Sequence, residues 1–406
     1  MYFQSFNMRE FFLFLATLSF CLWAYLLLGR GFFWRVRISA PTPATSDATV
    51  VAVIPARNEA ATIGKAVASL LLQSIANLRV IVVDDASTDG TTAAARAAAE
   101  ELRASDRLLV IAGQSLPAGW TGKLWAVHQG VEQAKVLSPD FLLLTDADVE
   151  HGPHTVATLL AIAEGGGFDL TSYMVKLHCT SVAEKLLIPA FVYFFFQLYP
   201  PAWIANPKAK AAGAAGGCML IRPHALALAG GIEAIRSEVI DDCALARAIK
   251  QTGGRVWLGL TDTSRSMRPY GNFAEIGRMI SRTAFSQLRH STLLLLATLI
   301  GLVITYLLPI VLLGCPTLTA VGWVGATGWS TLAGFAKVGL AASALFMMTL
   351  SYFPMVRFYR SNPLWALTLP LASIFYMGAT LWSAIQYWAG RGGQWKGRAQ
   401  DASVAK

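Results

Sequence analysis

Asp146 and Asp148 stand two residues apart, directly after the apolar run at residues 141–144. Two carboxylates so placed suit a hard divalent cation, Mg2+ or Mn2+, which takes carboxylate oxygens and fills its other positions with water and phosphate oxygens. Such a cation would neutralise charge on a leaving diphosphate. A solvated turn would use the same two residues. Two more polar clusters follow apolar runs: Pro55-Ala56-Arg57-Asn58-Glu59 after residues 50–54, and residues 84–91 after residues 80–83. Asp and Asn at such places also form turns and cap helices, a role that suits Asp89 and Thr91. His128, His151, His154, His178, His224 and His290 show no metal-ligand spacing.

These clusters need a scaffold that brings them together. From residue 49 to about residue 263, short apolar runs alternate with helical stretches. Residues 50–54, 80–83, 108–111 and 141–144 read as strands, and residues 60–73 and 91–102 as helices. The alternation predicts an α/β domain with a mostly parallel sheet covered on both faces. Ligands of such sheets bind at the carboxyl ends of the strands, where the three clusters fall.

The rest of the chain is unlike a soluble protein. Charged residues make up 14% of the 406, where soluble domains carry ~25%. That excludes disorder and a secreted disulfide scaffold, and points to a protein partly dissolved in lipid. Residues 11–28 carry no charge and predict an anchor over residues 8–30, after a tag remnant at residues 1–7. Residues 38–48 read as a linker, and residues 49–290 as the soluble domain. Residues 291–390 predict three or four membrane helices, depending on the Gly-rich stretch at 322–334, and residues 391–406 a basic tail. Inside the soluble part, the apolar residues 186–205 contain Pro189, Gln197, Pro200 and Pro201. They predict a segment lying in the membrane interface, with a buried core helix as the alternative. The net charge of +9 comes with arginines beside apolar runs, among them Arg30, Arg35, Arg278 and Arg289. That pattern favours a membrane surface over nucleic acid. The five cysteines form no CxxC and read as small buried hydrophobes.

The order P-x-R-N-E, V-D-D-x-S-x-D-G-T, D-x-D, G-G-x-M-x-x-R (residues 216–222) and an acidic pair (Asp241, Asp242) resembles the family 2 glycosyltransferases of the GT-A fold. Residues 119–126, 281–285 and 394–398 are similar to segments of the hopanoid-associated membrane glycosyltransferases. The resemblance implies that Pro55, Ala56, Arg57 and Glu59 line a nucleotide pocket and that Asp85 holds the uracil of a UDP-sugar. It implies that Asp146 touches the ribose and, with Asp148, the metal. Lys123 would face the donor, or stand solvated at a helix start. Asp242 would be the catalytic base, beside Asp241 where the family usually has Glu. Either residue of the pair would also serve as an N-cap. Arg282 matches the arginine of the Q-x-x-R-W motif of processive synthases, but Met279 and Thr283 replace its Gln and Trp, so single-sugar transfer fits better than polymer extrusion.

The expected activity is therefore inverting transfer of one sugar from a nucleotide-sugar, UDP-linked by the resemblance, to a lipid hydroxyl, a hopanoid among the implied acceptors. The expected location is a bacterial cytoplasmic (inner) membrane, crossed several times, with the catalytic domain facing the cytoplasm. Two rivals stand: transfer to polyprenyl phosphate, and a non-catalytic nucleotide-binding membrane scaffold.

Overall fold

The computed structural model describes residues 8–38, 46–314, 328–391, 394–395 and 398–399. The expected tag remnant, most of the basic tail and residues 322–327 of the Gly-rich stretch lie outside them. Up to residue 290 the elements begin with α1 (Met8–Leu28), followed by β1 (Val50–Ala56), α2 (Ile63–Leu71), β2 (Leu78–Asp84), α3 (Thr91–Glu101), β3 (Leu108–Ala112) and α4 (Gly122–Lys135). Next come β4 (Phe141–Thr145), β5 (Val149–Glu150), α5 (Thr155–Gly166), β6 (Leu170–Lys176), α6 (Val182–Leu198), α7 (Pro201–Ala205) and β7 (Cys218–Ile221). Then follow α8 (Pro223–Leu228), α9 (Asp241–Gln251), β8 (Val256–Ser266), α10 (Phe273–Ser281) and α11 (Ala284–Gln287).

The strands form one sheet in the order β3-β2-β1-β4-β7-β6-β8-β5. β3, β2, β1 and β4 pair in parallel, as do β6 and β8, whereas β7 runs antiparallel to both its neighbours and β5 to β8. The sheet is thus mixed, and parallel throughout the half that carries the three polar clusters. Every residue of β1 and β4 is buried. Strands covered on both faces need apolar residues at each position, which is why they read as continuous runs and do not alternate.

Among the described residues, five helices are long and apolar enough to cross a membrane: Glu10–Leu28, Val182–Ala205, Thr292–Gly314, Gly334–Phe358 and Pro363–Trp388. The last three comprise α12 (Thr292–Leu302), a π-helical turn at Val303–Leu307, α13 (Leu308–Gly314), α14 (Gly328–Phe358) and α15 (Leu369–Trp388). Trp23 of α1 is fully buried and donates its indole N–H to the Thr305 carbonyl in the π turn (2.7 Å). Gln197, in the Pro-interrupted segment, accepts from the Tyr306 hydroxyl (2.6 Å), and its carbonyl accepts from Arg30 (3.0 Å). Tyr193 shares a hydrogen bond with Ser351 (2.7 Å), and Tyr376 donates to the Leu187 carbonyl (3.0 Å). The Tyr193 and Gln197 side chains are therefore satisfied by the apolar helices, and more than half of Val182–Ala205 is buried against protein. Lys176, at the end of β6, donates to the Phe358 carbonyl at the end of α14 (3.1 Å), a cation on a helix C-terminus.

α15 keeps α10 and α11 beside it along its length. Phe375 packs near Phe273, Ser383 accepts from the Phe285 N–H and donates to the Ser281 carbonyl, and Tyr387 stacks on His290 with ring centroids 4.0 Å apart. At the tail, β9 (Gln394–Trp395) and β10 (Arg398–Ala399) form an antiparallel pair.

Candidate active site

The loops after β1 and β2 are laced to each other. The Asn58 N–H donates to Ser87 Oγ (3.0 Å), the Thr88 N–H to Asn58 Oδ1 (2.9 Å), the Glu59 N–H to Thr91 Oγ1 (2.9 Å) and the Ala60 N–H to Asp89 Oδ2 (3.0 Å). Asn58 and Ala86 both take positive φ (53°) to make these turns, a backbone state that other side chains favour less than Asn. Asp84 is occupied locally, accepting from the Ser87 N–H and the Thr92 hydroxyl. Its neighbour Asp85 is buried, and its Oδ2 lies 3.5 Å from Arg57 Nη1. Ser87, Asp89 and Thr91 are thus braces, while Arg57, Glu59 and Asp85 are the groups the braced loops hold.

Helix α4 begins at the N-cap Thr121, whose hydroxyl accepts from the Leu124 N–H (3.3 Å). It lies tightly on the sheet at Gly130, where a Cβ would collide with Val53 and Val83. That close approach carries Lys123 of the first turn into the cleft. A first-turn lysine opposes the helix dipole, so it needs local anions. Lys123 Nζ lies 2.9 Å from Asp146 Oδ1 and 3.1 Å from Asp241 Oδ2. Burial works against the ammonium, but the two carboxylates outweigh it and hold its pKa above the ordinary range.

Asp146 and Asp148 follow β4. Asp148 accepts from the Ser266 hydroxyl (3.4 Å), and its carbonyl from the Met267 N–H (2.7 Å), which ties it to the end of β8. Burial, then the charges of Asp146 and Glu59, push its pKa up to about 6, against the pull of Arg268. The Asp148 carboxylate therefore sits in negative surroundings, which a divalent cation would relieve. Among the described residues no three His, Cys, Asp or Glu side chains form a ready metal cage. Two carboxylates with water and phosphate oxygens completing the shell suit Mg2+ or Mn2+.

Asp241 and Asp242 open α9, whose N-cap is Ile240, so neither is the cap. Asp242 accepts from the Gly216 N–H (2.9 Å) and the Cys243 N–H (2.7 Å). Burial, then the Asp241 charge, raise its pKa to about 6, against Lys123. Pro55, Lys123, Asp146, Gly216 and Asp241 line one cleft, whose enclosed part is only about 20 Å³. Arg282, at the C-cap of α10, is exposed, and its charge acts on Tyr270 together with those of Arg268, Asp148 and Asp146.

Arg268 and Tyr270 went unread in the sequence, where the residues after the last strand match no motif. Tyr270 is fixed by its N–H, which donates to the buried Glu184 (2.8 Å). His151 and His154 stay outside the cleft lining. His151 is buried, shares a hydrogen bond with Thr145 (2.9 Å), and is pushed down to about 4 by burial. Cys21, Cys179, Cys218 and Cys243 are free thiols.

A mixed sheet with its parallel half leading into clustered carboxylates is the arrangement of a GT-A glycosyltransferase. Residues 51–227 match the family described as glycosyl transferase family 2. The match covers the braced loops and the D-x-D and ends before Asp241. No curated protein matches the chain. Similar solved structures include a mannosyltransferase from Pyrobaculum calidifontis in complex with GDP-mannose and Mn2+ (17% identity, 92% of this chain, 99% of that one, TM-score 0.49). A second is glucosyl-3-phosphoglycerate synthase from Mycobacterium tuberculosis with Mn2+ and UDP-glucose (17%, 63% and 86%, TM-score 0.41). A third is TarS of S. aureus (17%, 58% and 40%, TM-score 0.39).

Proposed function

We propose that the chain transfers a single sugar, with inversion, from a nucleotide-sugar donor, UDP-linked in our reading, to a hydroxyl of a membrane lipid. The observation that carries this reading is Lys123, whose ammonium joins Asp146 after β4 to Asp241 beside Asp242. Asp146 and Asp241 line one cleft, which supports a reading in which donor and acceptor groups meet there. Arg57, Glu59 and Asp85 serve the nucleotide. Asp148 and Asp146 would hold a divalent cation, which supplies positive charge to the departing diphosphate. Lys123 would turn from Asp241 to the same phosphate oxygens, and Arg268, whose charge acts on Asp148, would add to the positive charge, with Arg282 acting on the same Tyr270.

Asp242 accepts the proton of the acceptor hydroxyl as its oxygen attacks the anomeric carbon. The bond from that carbon to the diphosphate oxygen breaks, and the nucleoside diphosphate leaves with the electron pair. A carboxylate raised to about 6 is ionised at neutral pH yet basic enough to help. The two N–H donors on Asp242 fix its orientation.

The membrane reading is supported by the apolar helices and by the position of the basic residues. Arg30, Arg289, Arg357 and Arg360 all stand at helix ends that meet the glycosyltransferase domain, as cytoplasmic ends do. The test is transfer from UDP-sugars to lipid extract by the full chain and by Asp148→Ala and Asp242→Asn. Undiminished transfer by both variants removes the mechanism. A polyprenyl phosphate acceptor, already anionic, would leave Asp242→Asn near normal turnover.

A further inference from the structure

A second cavity, of about 390 Å³, lies against a different face of α9. Asp241 and Leu245 face the cleft with Lys123, whereas Ile240, Cys243, Ala244 and Arg247 face this cavity. Its polar wall is made by Tyr199, Glu238, Arg247, Gln287, Arg289 and His290. Two guanidiniums and an imidazole thus meet one carboxylate. Arg247 and Arg289 are exposed, and among the described residues neither has a carboxylate within salt-bridge reach. Tyr199 and Gln287 are already joined, hydroxyl to amide (3.0 and 2.6 Å), and stiffen one wall.

Two features say what the cavity takes. Arg289 and His290 directly precede Ser291, the N-cap of the apolar α12, so the cavity opens at the head of a membrane helix. The Asp242 charge acts on Tyr199 in the cavity wall as well as being set against Lys123 in the cleft. The base thus stands next to both spaces. We infer that this cavity seats the phosphate-bearing head group of the acceptor, which is an anionic phosphodiester lipid carrying a free hydroxyl. Its volume suits a head group of glycerol or cyclitol size, within the ~300–1,000 Å³ of small-molecule pockets. Guanidiniums pair with phosphate oxygens in a fixed fork, and the acyl chains leave along α12.

This inference rests on the transferase reading, but its test does not need turnover. The full chain in neutral detergent is titrated with dihexanoyl phosphatidylglycerol, with dihexanoylglycerol and with glycerol 3-phosphate, and UDP binding is titrated separately with Mn2+. Arg247→Gln/Arg289→Gln, which changes two exposed side chains, is compared with the parent. The expected result is binding of the phosphatidylglycerol at least tenfold tighter than of the neutral lipid, lost at least tenfold in the double variant, with UDP binding unchanged. Equal binding of the neutral lipid, or an unaffected double variant, overturns the inference. Equal binding of glycerol 3-phosphate assigns the site to a free phosphate and overturns it as a lipid seat. A chain that binds the lipid as expected but no UDP refutes the transferase reading and leaves the seat standing. In lipid extract, product on a polyprenyl monophosphate in place of a hydroxyl-bearing phospholipid also overturns it.

Discussion

Lys123 lies between Asp146 and Asp241, at 2.9 and 3.1 Å. One ammonium thereby ties the loop after β4 to the first turn of α9, two pieces of chain that share no strand pairing. Replacing Lys123 by Met leaves two carboxylates facing each other without a counter-charge. Donor turnover should fall by about 10²–10³, as for loss of one preorganised charge on a leaving group. Stability should fall by about 1.5–3 kcal/mol, the range for hydrogen bonds to charged groups. Chemical denaturation and single-turnover kinetics check the two effects separately.

As the proposed base, Asp242 would work only when ionised. With its pKa raised to about 6, kcat/KM measured at saturating Mn2+ should rise about tenfold per pH unit below 6 and level off above it. Asp242→Asn should flatten that limb and lower the rate by about 10²–10⁴. The stability sign is the reverse of a salt-bridged carboxylate. The folded state binds this proton more tightly than the unfolded chain, so the contribution is present at low pH and lost as pH rises from about 4 through about 6. Asp242→Asn should therefore gain stability relative to the parent above pH 6, measured as a shift in denaturation midpoint.

Asp148 must lose its proton to take a metal. Its raised pKa of about 6 means that Mn2+ affinity should drop about tenfold per unit below pH 6 and plateau above it. Electron paramagnetic resonance of free Mn2+ reads this without any substrate. Asp148→Asn should abolish the uptake, and an unchanged titration would remove Asp148 from the metal site.

Gly130 allows α4 to lie close against Val53 and Val83. Gly130→Ala should cost about 1–3 kcal/mol by overpacking. It should also lower turnover by moving Lys123, because both sit on one rigid helix, while Mn2+ binding at Asp148 stays intact.

β1 and β4 were legible in the sequence because burial on both faces writes itself as unbroken apolar runs, and the edge strand β3 reads the same way although none of its residues is buried. The half of the sheet beyond β4 was not. β5 has two residues, and β8 alternates buried and exposed positions late in its length, so neither makes such a run. The D-x-D and the acidic pair stood out, but Lys123 had two equal readings, since its partners lie on distant segments and only the folded chain joins them. Asp89 and Thr91 turned out to be braces, as turn chemistry implied. Arg268 and Tyr270 escaped because their positions depend on Asp148 and Glu184, which no local pattern links to them.

α15 is long enough to cross a bilayer, yet α10 and α11, with their charged Glu275 and Arg278, flank it from Phe375 to Tyr387. Polar escorts of that kind cannot follow a helix through hydrocarbon. We therefore predict that α15 stays in a single leaflet, with the exposed Leu371, Ile374 and Trp382 dipping into acyl chains like a keel. On that prediction Arg391 would emerge beside the sheet-bearing half and not across the bilayer from it. An impermeant thiol reagent added from the opposite side should leave Arg391→Cys unlabelled.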